Sequence, residues 1–108
     1  MKDLSIQQLT NLIMAQAKVK GFGTKPIEVD VAEKIVLVHS EISEAFEAYR
    51  HKKIRGVDAF EGELCSAILR LLHLCGVFDI NVEQMILKKV KRNKSRQWRW
   101  RQMNEKHS

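Results

Sequence analysis

A chain of 108 residues with 44% hydrophobic and 30% charged side chains is long enough for one domain and one core, and short for a deep enclosed site. That composition excludes a disordered chain, and no apolar run approaches the length of a membrane-spanning helix. The formal net charge of +6 is uneven: residues 88–108 carry nine basic side chains and one acidic, whereas residues 1–87 are slightly acidic. Such asymmetry marks a segment suited to phosphates.

The N-terminal stretch Met1-Lys-Asp-Leu-Ser-Ile lacks the continuous apolar core of a signal peptide. Cys65 and Cys75 fall about three turns apart on one predicted helix, too far to bridge each other. Helix-borne cysteines without a leader imply a reducing compartment, and a cytoplasmic location is expected.

Four helices are predicted, each opened by a side chain of capping type followed three residues later by Glu or Gln: Ser5 and Gln8, Asp30 and Glu33, Asp58 and Glu61, Asn81 and Gln84. The first spans about residues 6–20, with Leu9, Leu12, Ile13 and Ala17 at helical period, and stops at Gly21. Gly21-Phe-Gly-Thr-Lys-Pro-Ile then reads as an irregular loop. The second helix spans about residues 31–52, the third about 59–75 with its end at Gly76, and the fourth about 82–94. Val29-Asp-Val-Ala is the nearest approach to a strand, and the cap at Asp30 competes with it. The predicted fold is all-α, a four-helix antiparallel bundle. Residues 1–96 form the domain and residues 97–108 a basic tail.

The third helix carries the most pointed pattern. Glu63, Ser66, Arg70 and His73 recur at steps of three and four and share one stripe, while the remaining positions from Leu64 to Cys75 are apolar. A helix apolar nearly all round belongs in an interior. Its polar stripe therefore needs a partner with complementary chemistry. Three short helices cannot cover it fully, so a homodimer or homotetramer through the second and third helices is expected. The second helix supplies the partner stripe, with Glu41, Glu44 and Glu47 every three residues on roughly one face. Like charges so placed repel by a few tenths of a kcal/mol per pair. Either lysines and arginines neutralise them, or a hard divalent cation does, since carboxylate oxygens are the ligands Mg²⁺ prefers.

Glu41-x-x-Glu44, then eighteen residues, then Glu63-x-x-Ser66, followed downstream by Lys89-Val-Lys-Arg-Asn-Lys-Ser-Arg96, resembles the MazG-like nucleoside triphosphate pyrophosphohydrolases of the all-α NTP pyrophosphatase superfamily. The resemblance spans roughly residues 35–96. It implies Mg²⁺-dependent cleavage of a nucleoside triphosphate between its α- and β-phosphates, with Mn²⁺ as an alternative ion. Glu41, Glu44 and Glu63 match the family's metal ligands and catalytic carboxylates, and Lys89, Asn93 and Arg96 match its phosphate-binding positions. Family members assemble as dimers or tetramers.

The chain departs from the pattern at Ser66, where the family has an aspartate. Serine ligates through a neutral hydroxyl, so the cluster loses one negative unit and its hold on a hard cation should weaken. Glu47 and Glu61 are the acids nearest to hand as replacements, and His73 offers a softer donor, against its simpler role as a hydrogen-bonded core residue. Arg70 suits a phosphate, or a salt bridge to Glu41, Glu44 or Glu47. Phe22 suits the edge of a nucleobase, or a hydrophobic cap on the loop. Trp98 and Trp100, among Arg96, Arg99 and Arg101, suit base stacking, or packing of the tail in an oligomer.

Two other functions fit parts of the pattern. One is a catalytically lapsed nucleotide-binding or regulatory protein. The other is a nucleic-acid-binding module built on residues 88–101, disfavoured because the glutamate faces would repel a phosphate backbone.

Overall fold

Ser5 opens the first helix through a full capping box: its hydroxyl accepts from the backbone of Gln8 at 3.1 Å, and the Gln8 side chain accepts from the backbone of Ser5 at 2.8 Å. Helix α1 runs Ile6–Lys20 and ends where Gly21 turns left-handed at φ 76°. A short 3-10 turn follows at Pro26–Glu28, then α2 at Val31–Arg50, α3 at Phe60–Val77 and α4 at Val82–His107. This computed structural model describes the backbone of residues 3–107 and the side chains of residues 3–95. Among the described residues the fold is all-helical, with no strand. No single described helix is long and apolar enough to cross a membrane.

Three of the four predicted cap positions serve as expected. Asp30 accepts from the Glu33 backbone and Asn81 from the Gln84 backbone, each at 3.1 Å. The Asp58 cap is not made. Ala59 occupies the N-cap of α3 without a side-chain bond, and Glu61 turns back to accept from the backbone of Gly56 at 3.1 Å while pairing with Arg55 at 3.7 Å. The third helix also runs through Gly76 to Val77 rather than stopping at the glycine. There α1 crosses so closely that Met14 and Thr10 occupy the space a side chain would need. The fourth helix continues past the expected end near Lys94 to His107.

Helices α2 and α3 form the main packed pair, and α1 packs on α3. The buried apolar residues are small: Ala17, Val38, Ala45, Ala59, Ala67 and Val77. Small residues let backbones approach closely, but they bury little area. Tyr49 and Phe60 close the α2–α3 end with ring centroids 5.4 Å apart. Contrary to the expectation that α3 is wholly buried, Leu64, Ile68, Leu69 and Leu71 are exposed on this chain. Between α3 and α4 the chain bends by 111°. Every residue from Glu83 to Ser95 is exposed, and the main contact of α4 is with α1. The radius of gyration is 16.9 Å, against about 13 Å for a compact domain of this length.

Gly62 marks the tightest point of the α2–α3 connection, because a Cβ there would collide with the backbone carbonyl of Val57. Backbone cannot swing aside, so Gly62→Ala should destabilise the fold by about 1–3 kcal/mol. Gly76→Ala meets Sδ and Cγ of the Met14 side chain rather than backbone, and it gains helix propensity worth about 1 kcal/mol, so it should cost less than Gly62→Ala. Urea denaturation of the two variants checks this; equal losses would contradict the packing described.

Candidate metal centre

The polar stripe of α3 meets the polar stripe of α2 as the spacing predicts. Glu41 and Glu44, one turn apart on α2, face Glu63 on α3, and one carboxylate oxygen from each lies within 4.8 Å of the others. The burial of Ala45 on α2 and Ala67 on α3 explains how two helices come close enough to force three acids together. The third glutamate of the α2 series is not part of the cluster. Glu47 is bonded to Arg50 at 3.3 Å and to His51 at 2.9 Å, with its side chain 56% exposed. Glu61 is engaged with Arg55 and Gly56, so neither acid joins the cluster.

Two features offset the repulsion within the cluster. Arg70, two turns beyond Glu63, donates from Nε to Oε1 of Glu41 at 3.0 Å, and the Glu41 side chain is only 16% exposed. The Glu63 carboxyl is the second: hydrogen bonding to Glu41 and then to Glu44, with partial burial and the two neighbouring charges adding to the effect, raises its pKa from the usual 4.5 to about 7. A carboxyl raised so far reports a site short of positive charge. Three hard oxygen donors converging from two helices form a set chemically suited to Mg²⁺ or Mn²⁺.

Beside the cluster, and sharing Glu41 with it, lies a cavity of about 420 Å³. Leu37 and Leu69 give it an apolar wall, while Lys34, Ser66 and Arg70 give it a polar one; Phe22 and His73 complete the lining. Ser66 thus stands with Arg70 and Glu41 on the cavity wall, one turn beyond Glu63. The loop that carries Phe22 is held from two sides. Glu28 accepts from the backbone amides of Thr24 and Lys25 at 2.9 and 3.1 Å and from the Thr24 hydroxyl at 3.2 Å, bonds that lower its pKa. His73, 7% exposed, donates from Nε2 to the Gly23 carbonyl at 2.8 Å. A carbonyl can only accept, so that nitrogen carries the hydrogen. His73 pins the loop through Nε2.

Lys89 and Asn93 sit on the exposed length of α4 and are not among the residues lining the cavity or the cluster. The side chains of Arg96, Trp98 and Trp100 lie outside the described residues. Lys34 was not singled out by sequence. Its signal is the spacing Lys34, Leu37, Glu41, which places it two turns before Glu41 on the same face of α2.

A raised carboxyl pKa has a definite consequence for stability. Above pH 4.5 the unfolded chain releases the Glu63 proton, while the folded chain retains it up to about pH 7. The folded state then binds more protons, so stability falls as pH rises through that window. Denaturation at several pH values should show this fall in the wild type, and Glu63→Gln should remove it. An identical slope in both proteins would contradict the proton-sharing cluster.

Comparison of the chain with known protein families, with characterised proteins and with solved structures gave no match.

Proposed function

We propose that the chain is a divalent-cation-dependent nucleoside triphosphate pyrophosphohydrolase, converting NTP or dNTP to the monophosphate and pyrophosphate. The observation that carries this reading is the convergence of Glu41, Glu44 and Glu63 within 4.8 Å across α2 and α3. Solvated surface acids gain nothing from such convergence, whereas a cation site requires it. The order Glu-x-x-Glu, Glu-x-x-Ser and Lys-x-x-x-Asn-x-x-Arg along the chain supports the same reading by its likeness to MazG-like enzymes. Mg²⁺, or Mn²⁺ in its place, would neutralise the phosphate chain and lower the pKa of an attacking water when bound. Glu41, Glu44 and Glu63 would hold the ion, and Ser66 would offer a neutral oxygen in place of the fourth carboxylate.

A homodimer or homotetramer belongs to the proposal. One chain leaves a groove of about 790 Å³ between α1 and α3, lined by Leu9, Leu12, Ile13, Val19, Ile68 and Leu72 among others, and among the described residues no large side chain is fully buried. A second copy of the chain is the proposed occupant, since α4 also presents Met85, Ile86 and Val90 without cover. Packing of a partner's α4 over the carboxylates would bring its Lys89, Asn93 and Arg96 to the phosphates. The unpaired Cys65 and Cys75 suit a reducing, cytoplasmic setting.

A second reading is favoured by one observation. Ser66 is neutral and Arg70 occupies Glu41, so the cluster carries less negative charge than four carboxylates would. A lapsed nucleotide-binding protein of this fold would bind a metal-loaded triphosphate and leave it intact.

Glu41→Gln and Glu44→Gln should each weaken binding of a Mg²⁺–triphosphate analogue by about tenfold or more, the equivalent of about 1.4 kcal/mol, with helix content unchanged by circular dichroism. Calorimetry giving wild-type affinity in both would overturn the cation site. Sedimentation of the same wild-type sample should return a dimer or tetramer; a monomer would overturn the assembly.

A further inference from the structure

The cavity beside the three glutamates holds two cationic side chains, Lys34 and Arg70, together with the Ser66 hydroxyl. Arg70 spends one donor, Nε, on Glu41. Among the described residues neither its two terminal nitrogens nor the Lys34 amine is recorded in an ion pair with another acid. A guanidinium offers five N–H donors in a fixed fork that matches a phosphate, so most of its capacity remains for something that enters the cavity. Among the described residues Glu41 is the only acid on the wall, and it belongs to both the cavity and the cluster.

We propose that the cavity is a phosphate subsite and that Arg70 is exchanged between Glu41 and the ligand. The proposal rests on the cation-site reading above and deepens it. In the empty site Arg70 neutralises Glu41. A divalent cation held by Glu41 would repel the guanidinium, and Arg70 would give up its bond to Oε1. The released fork then donates to a phosphate oxygen of the triphosphate, with Lys34 as a second positive charge and Ser66 as a hydroxyl donor. No bond to carbon or phosphorus changes in this step; one ion pair is traded for another. A carboxylate at position 66 would face both the phosphate and Arg70. The serine that departs from the family pattern therefore suits an anion subsite.

The exchange makes a prediction that a merely structural Arg70 does not. Removing a resident cation that competes for Glu41 should tighten binding of the metal alone, while removing a phosphate donor should weaken binding of the metal-loaded anion. The probes are Mn²⁺ by itself and Mn²⁺ with inorganic tripolyphosphate, which carries the phosphates without a nucleoside. Arg70→Met should bind Mn²⁺ several-fold more tightly and the Mn²⁺-loaded tripolyphosphate about tenfold more weakly, the size expected for one charge-assisted hydrogen bond. Lys34→Met, which leaves the Glu41 pair intact, should weaken tripolyphosphate and leave Mn²⁺ alone unchanged. Loss of both ligands in a folded Arg70→Met, or Mn²⁺ affinity that does not rise, overturns the exchange. Unchanged tripolyphosphate affinity in Lys34→Met overturns the phosphate subsite even if Arg70→Met fails to fold. A wild-type protein that binds no Mn²⁺ overturns the exchange and the cation site together, whereas Mn²⁺ binding abolished by Glu44→Gln but indifferent to Arg70→Met overturns the exchange alone.

Discussion

Three carboxylates brought together across one helix pair are the constraint on which the rest of this site depends. Bringing like charges within a few ångströms in a partly buried setting costs free energy unless protons or cations intervene. The chain answers with both: a Glu63 carboxyl whose pKa is raised to about 7, and a guanidinium on Glu41. Neither arrangement helps the fold more than an uncharged pair of helix faces would. Small buried residues on both helices, Ala45 and Ala67, permit the close approach that creates the repulsion. A fold that pays this cost holds a site ready for positive charge, and that is the physical ground for the proposed cation-dependent chemistry.

Much of the site was legible in sequence because helical period is simple arithmetic. Glu63, Ser66, Arg70 and His73 share a stripe, and in three dimensions each faces α2 or the loop before it: Glu63 meets Glu41 and Glu44, Arg70 meets Glu41, Ser66 lines the cavity, and His73 holds Gly23. Periodicity could not show where a stripe ends. Glu47 continues the spacing of Glu41 and Glu44, yet a local arginine and histidine at steps of three and four claim it. Asp58 had the spacing of a cap, but the tight contact of Gly62 with Val57 sets the start of α3 instead, and Glu61 is taken by Gly56 and Arg55. Gly76 carried the signal of a helix end, and the crossing of α1 used it for close approach. Lys34 went unmarked because a single lysine on a mixed face has no signature until the cavity around it exists.

The apolar surface left over is as informative as the core. Leucines and isoleucines at helical period are normally read as interior, yet here Leu12, Ile68, Leu69 and Ile86 remain exposed on one chain while alanines fill the interior. The proposed second copy would cover this surface without a further component. On that account α4, which bends 111° away from α3 and exposes its basic face, is the element through which one chain completes the site of another. This division also fits the uneven charge, with nine of the 19 basic side chains in residues 88–108.

Phosphorus NMR of a nucleoside triphosphate incubated with the protein and Mg²⁺ tests the central claim most directly, because it reads which phosphate bond is cut. The account predicts pyrophosphate and nucleoside monophosphate in equal amounts, dependent on the ion and abolished by Glu41→Gln. Release of orthophosphate and a diphosphate, or a triphosphate left intact by protein that binds Mg²⁺, would contradict it.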